Sequence, residues 1–172
     1  MKNTSNSDFT LIVEEVYAPC GLKVSNFVLD KESKEYEAVS FLLNTLNIKS
    51  RRSKITPKKI GQFVTLWKRN IKGETTPLED SDEVDLIVIN SRQGSQLGQF
   101  VFPKNVLKEK GIVSHGIKLG KRGFRVYPPW TNPTNKTAQK TQKWQLEYFL
   151  NIELNFKTDL GKANDLYLLM KG

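Results

Sequence analysis

The chain has 172 residues and a mass of 19.7 kDa, room for one compact domain of ordinary size and little more. A single cysteine, Cys20, excludes an intramolecular disulfide and a Cys-rich zinc site, and a single histidine, His115, excludes a His-pair metal motif. With 27 Lys and Arg against 18 Asp and Glu the formal net charge is +9, which points towards a polyanionic partner without naming one.

Residues 1–8 are small and polar and predict a mobile N-terminus, leaving 9–172 as a single domain. No run of 18 apolar residues exists and the first residues do not form a signal peptide, so a cytoplasmic protein without a membrane partner is expected. Phe9, Ile12, Val13 and Val16 fall at helical spacing, ended by Pro19 and Gly21. Residues 24–29 read as a strand. Asp30 to Ser33 supply capping side chains for a helix over about 33–47, whose Tyr36, Val39, Leu43 and Leu46 recur at steps of three and four.

Residues 60–68 alternate as a strand does, with Gln62, Val64 and Leu66 on one face and Phe63, Thr65 and Trp67 on the other. Residues 84–89 are almost continuously apolar, as in a central strand buried on both faces, and the polar stretch 90–96 reads as a turn. A strand over 97–102 stops at Pro103, another covers 124–127, and helices are expected over about 135–150 and 159–170. The elements together predict an α+β single domain with a mixed or antiparallel sheet of about four or five strands and packed helices. A restriction-endonuclease-like arrangement is one form of it.

Charge is blocked along the chain rather than mixed. Residues 49–73 carry 9 basic and 0 acidic groups, 74–85 carry 0 and 6, and 86–143 carry 11 and 1. Two such basic blocks concentrate the positive field on any surface they share. Within them, cations are interleaved with flat rings, Lys58-Lys59 through Trp67-Lys68-Arg69 and Lys121-Arg122-Gly123-Phe124-Arg125-Val126-Tyr127 with Trp130 beyond. Cations neutralise phosphates and rings stack on bases, so this composition suits nucleic acid, with DNA the expected form. The expected phosphate contacts are Lys54, Lys58, Lys59, Lys68, Arg69, Lys104, Lys121, Arg122 and Arg125. Lys108, Lys110, Lys136, Lys140 and Lys143 could extend the patch. Tyr127 or Trp130 would stack, whereas Trp67, Phe124 and Trp144 are expected in the core.

Gly61-Gln62-Phe63-Val64 recurs as Gly98-Gln99-Phe100-Val101, which gives two strands a Gln amide able to read base edges or to satisfy a buried strand. The glycines of 116–123, with Lys118, Lys121 and Arg122, match neither a P-loop nor a dinucleotide fingerprint and predict a flexible hairpin.

For catalysis, Asp85 stands in an apolar strand and requires a partner or a metal. Glu37, Asp85 and Gln99 resemble the layout of the PD-(D/E)XK nuclease superfamily, which implies Mg²⁺ held at Asp85. The pattern departs where Val101 replaces the lysine that assists water attack. No cofactor is expected outside that reading. A regulatory adaptor, or a protein binding a small anion, is the third class considered.

Ser33-Lys34-Glu35-Tyr36-Glu37-Ala38, Thr56-Pro57-Lys58-Lys59 with residues 60–69, Gly98 to Lys104, Gly120 to Pro128, and Gln139 to Gln145 around Trp144 together resemble the MepB-like family over most of residues 10–150. The resemblance implies a small bacterial cytoplasmic protein, some relatives being encoded beside a multidrug-efflux pump and its repressor. It implies no particular activity.

Overall fold

The computed structural model of the chain describes residues 7–152 and 158–168. Ser7 caps α1 (Asp8–Ile12), its hydroxyl accepting from the Thr10 N–H at 3.2 Å, and the helix continues as a π turn over Val13–Tyr17. Ile12, Val16 and Tyr17 are buried, as their spacing predicts. Residues 1–6 of the expected mobile terminus lie outside the described residues, whereas Asp8 is buried and paired with Arg92 at 2.7 Å.

After β1 (Val24–Leu29) and a 3-10 turn over Lys34–Tyr36, the helix expected at 33–47 is replaced by a hairpin of β2 (Val39–Leu43) and β3 (Leu46–Arg52). Leu43 pairs with Leu46, which makes Asn44 and Thr45 a two-residue loop, and Asn44 takes the left-handed conformation that such loops require. Val39, Phe41 and Leu43 are buried in alternation. Val39, Leu43 and Leu46 fit a period of two on either side of a turn as well as they fit a helix. Phe41 and Ile48, off the helical stripe but on the strand face, break the tie.

The chain continues through β4 (Lys54–Thr56), β5 (Lys59–Thr65), β6 (Lys68–Arg69), β7 (Thr75–Thr76), β8 (Leu86–Gln93) and β9 (Gln96–Pro103). It ends with α2 (Lys104–Glu109), β10 (Gly123–Val126), α3 (Lys136–Leu146), β11 (Phe149–Asn151) and α4 (Leu160–Leu168). The main sheet has six strands in the order β1-β2-β3-β8-β9-β11, with β3 and β8 parallel and the other neighbours antiparallel. A smaller sheet has the order β10-β5-β4, and β6 pairs with β7. The molecule is thus α+β with a mixed sheet, as its patterning predicts.

Leu86 to Ile89 are fully buried because β8 is covered on both faces. Leu86 and Val88 pack with α1 and α4, while Ile87 and Ile89 meet Phe100, Phe102 and the small sheet. Each such side chain contributes about 1.5–3 kcal/mol on burial. The turn expected at 90–96 narrows to its tip at Gly94, because the polar residues before it find partners inside the sheet. Asn90 Nδ2 donates to Ser50 Oγ at 3.3 Å, and the Ser91 and Ser53 hydroxyls are 2.6 Å apart. The helix expected over 135–150 stops at Leu146. Phe149 then enters the sheet as β11, opposite Phe100, with ring centroids 4.9 Å apart. Among the described residues no helix is long and apolar enough to cross a membrane.

Candidate functional site

β10 is an edge strand paired with β5 on one side only, in the register Arg125 opposite Phe63 and Gly123 opposite Thr65. Its alternation puts Phe124 and Val126 into the core and leaves Arg125 and Tyr127 for the other face, as the sequence implies. α3 lies along the open edge, its first turn capped by the Asn135 side chain accepting from the Ala138 N–H at 2.8 Å. Gln145 joins the two elements: its Nε2 donates to the Arg125 carbonyl at 2.8 Å and its Oε1 accepts from the Tyr127 N–H at 2.9 Å.

Between strand edge and helix runs a cleft of about 700 Å³. Lys58 reaches it from the turn between β4 and β5, Lys59 from the first position of β5, Lys110 from the end of α2, Lys121 from the loop before β10, and Arg125 from the strand. Tyr127 and Phe124 line the strand side, and Ala138, Thr141 and Trp144 the helix side. Among the described residues no carboxylate lines the cleft, and Lys58, Lys59, Lys110 and Lys121 make no ion pair. Five cations around one concavity without counter-charge focus a positive potential there, and the N-terminal end of α3 adds to it.

The cleft walls are held in place. Arg125 donates to Thr56 Oγ1 at 2.7 Å and lies over the Phe63 ring at 5.9 Å, and Lys110 lies 5.3 Å from the centre of the Trp144 ring. Gly61 has φ +88° and runs so close beneath Tyr127 that a Cβ would stand 2.7 Å from the ring. Glycine is what permits both that backbone and the phenol lying on it.

The other cations expected at the interface are committed elsewhere. Lys54 pairs with Glu35 at 2.8 Å, Lys68 with Asp82 at 2.6 Å and Glu79 at 3.0 Å, and Arg69 with Glu32 at 2.6 Å. Lys104 donates to the carbonyls of Asp80 and Asp82, and Arg122 to Thr75 Oγ1 at 3.2 Å. Trp130 packs against Phe149 beside a separate hollow. Trp144, expected in the core, packs against it with its ring 5.5 Å from that of Phe102 and also lines the cleft, and Gln145 was not singled out by its residue type or spacing.

Gln62 and Gln99 are buried and do not face a ligand. Gln62 accepts from Ser53 Oγ at 2.7 Å and donates to the Arg92 carbonyl. Gln99 donates to Asn90 Oδ1 at 3.0 Å and to the Tyr17 hydroxyl, and accepts from Tyr167, which also meets Tyr17. Burial pushes the Tyr17 hydroxyl up to about 12 against the opposing hydrogen bonds from Tyr167 and Gln99, and burial raises Tyr167 as well.

The nuclease-like set does not converge. Glu37 is exposed in a turn with φ 46° rather than on a helix, and pairs with Arg52 at 3.1 Å. Asp85 precedes β8, where its Oδ2 accepts from the Asn47 N–H at 2.7 Å. Gln99 sits opposite Asn90, about 17 Å of strand beyond Asp85 and on the other face by alternation. Among the described residues no group of three or more His, Cys, Asp or Glu side chains gathers as a metal site would require. The residues do not fit a Mg²⁺ centre.

The family model for MepB-like proteins matches residues 30–151. A crystal structure of MepB is 37% identical to this chain, covering 88% of it and 99% of the solved chain, with a TM-score of 0.75. No curated protein matches the chain.

Proposed function

The chain belongs to the MepB-like family, and from the charge of its cleft we propose that it binds nucleic acid, with the phosphodiester backbone of one strand held between β10 and α3. The observation that carries this reading is the set of five cations from four separate segments around a concavity that no carboxylate lines among the described residues. Phosphates take the cations, and the Tyr127 phenol is the available stacking surface. Contacts to phosphate position a strand without reading it, so binding is largely independent of sequence. A walled cleft accepts one strand more readily than a duplex, which would have to sit across its rim.

Fluorescence anisotropy with single- and double-stranded oligonucleotides at two ionic strengths tests this. The expected result is tighter binding of the single strand, with log affinity falling against log salt at a slope of roughly −3 to −4 for about five phosphates. A flat salt response overturns the reading. The volume of the cleft favours a second reading, a small anionic ligand, because it lies in the usual range for ligand pockets. That reading predicts saturable binding of a nucleoside triphosphate and no gain in affinity as an oligonucleotide is lengthened.

A further inference from the structure

Residues 114–121 form a braced hairpin beside the cleft. The His115 and Lys118 backbones exchange two hydrogen bonds of 3.0 Å around a tip that contains Gly116 at φ +57°. Below the tip, the Gly120 N–H donates to Ser114 Oγ at 2.8 Å and the Lys121 N–H to the Ile112 carbonyl at 2.9 Å. Gly120 lies so close to that carbonyl that a Cβ would stand 2.1 Å from its oxygen, so no side chain fits there. His115 Nδ1 reaches Asp80 at 3.4 Å, tying the hairpin to the segment before β8.

This bracing holds two branched apolar side chains in water, Ile117 at 104% and Leu119 at 78% relative exposure. A frayed loop would be free to fold such side chains back onto the surface. Here the hydrogen bonds and the glycine contact set their direction. Lys118 stands between them, and Lys121, two residues beyond Leu119, lines the cleft. The apolar tip therefore lies two residues along the chain from a side chain of the cationic concavity, outside its lining.

We propose that Ile117 and Leu119 form an apolar wedge that enters between stacked bases of a nucleic acid held in the cleft, while Lys118 and Lys121 hold the phosphates on either side. This rests on the nucleic-acid reading of the cleft. Wedges of this kind are apolar side chains on a basic frame, and burying them between bases offsets the cost of unstacking. Apolar side chains beside lysines also suit an anionic lipid surface. Lys58 and Lys59 stand exposed at the cleft and Arg125 is half-buried on its wall, and cations set around a concavity suit a strand that enters it better than a flat bilayer.

The experiment uses the full chain and an oligonucleotide carrying 2-aminopurine, whose fluorescence rises when it is unstacked, with affinity followed separately by anisotropy. The expected result is a rise with the native chain that is lost in the Ile117→Ser/Leu119→Ser double variant, affinity changing by less than about threefold because phosphate contacts dominate it. Both positions are exposed, so the variant keeps its core. If the native chain binds without a rise, or the double variant keeps the full rise, the wedge is overturned and the cleft reading stands. If anisotropy detects no binding by the native chain, the cleft reading fails and the wedge fails with it. If the native chain co-sediments with phosphatidylglycerol vesicles, loses this in the double variant and leaves 2-aminopurine unchanged, the tip is a lipid anchor and the wedge is overturned.

Discussion

The Gln145 side chain on α3 donates to the Arg125 backbone carbonyl on β10 at 2.8 Å, in place of the neighbouring strand that this edge lacks. Its oxygen accepts from the Tyr127 N–H as well, so one amide satisfies two polar groups of the edge and ties α3 to the strand beside the cleft. Gln145 is fully buried, which strengthens the bond and makes its loss costly. Gln145→Leu is expected to lower stability by about 2–4 kcal/mol by leaving two backbone groups unpaired. Oligonucleotide affinity should fall with it. Thermal unfolding and anisotropy at a temperature where the variant is folded check the two effects separately.

Cations that line the cleft and cations already paired should behave differently. Lys59→Glu or Lys121→Glu places a negative charge where none stands, and at least a tenfold loss of affinity is expected, about 1.4 kcal/mol, with a shallower salt slope. Arg122→Glu with Arg125→Glu should act in the same direction through Arg125. Lys54→Ala and Arg69→Ala remove groups whose charge is met by Glu35 and Glu32, and affinity should stay within about threefold. Equal losses in both sets would mean that the cleft is not the binding surface.

Asp85, immediately before β8, accepts from the Asn47 N–H, a structural role that needs no metal. Asp85→Ala should cost about 1 kcal/mol of stability. Plasmid incubated with Mg²⁺ or Mn²⁺ should stay intact with the native chain and the variant alike. Cleavage by the native chain that disappears in Asp85→Ala would restore the nuclease reading.

The buried Tyr17 and Tyr167 make the fold sensitive to alkali. Both hydroxyls are raised above their ordinary value of 10.0 by burial, Tyr17 to about 12, so the neutral form is the one the native state holds. Their contribution is complete below pH 10 and is lost as pH rises towards 12, on the order of 2–3 kcal/mol for Tyr17. Cooperative loss of circular dichroism in this window, coincident with tyrosinate absorbance from the buried pair, is expected. Tyr17→Phe should weaken the alkaline transition while lowering stability at neutral pH, since Gln99 and Tyr167 lose a partner.

Composition and pattern by themselves determined the class of the molecule, the core strands around Ile87 and Phe100, the split of β10 into an inward Phe124 and an outward Arg125, and the blocking of charge. These follow from periodicity and from counting, which need only neighbours in sequence. The hairpin at Asn44 was not legible, because Val39, Leu43 and Leu46 satisfy two periods at once and only packing chooses between them. Nor could sequence separate Lys59 from Arg69, both basic and both at the end of a strand. The difference is a carboxylate at Glu32, 37 residues away from Arg69 and brought to it by the fold. Gln62 and Gln99 were ambiguous for the same reason, since an amide suits a base edge and a buried network equally until Ser53 and Tyr167 arrive beside them. Tertiary structure alone decided which charges remained free, because cancelling a charge takes a partner within a few ångströms and the chain supplies that partner from far along its length.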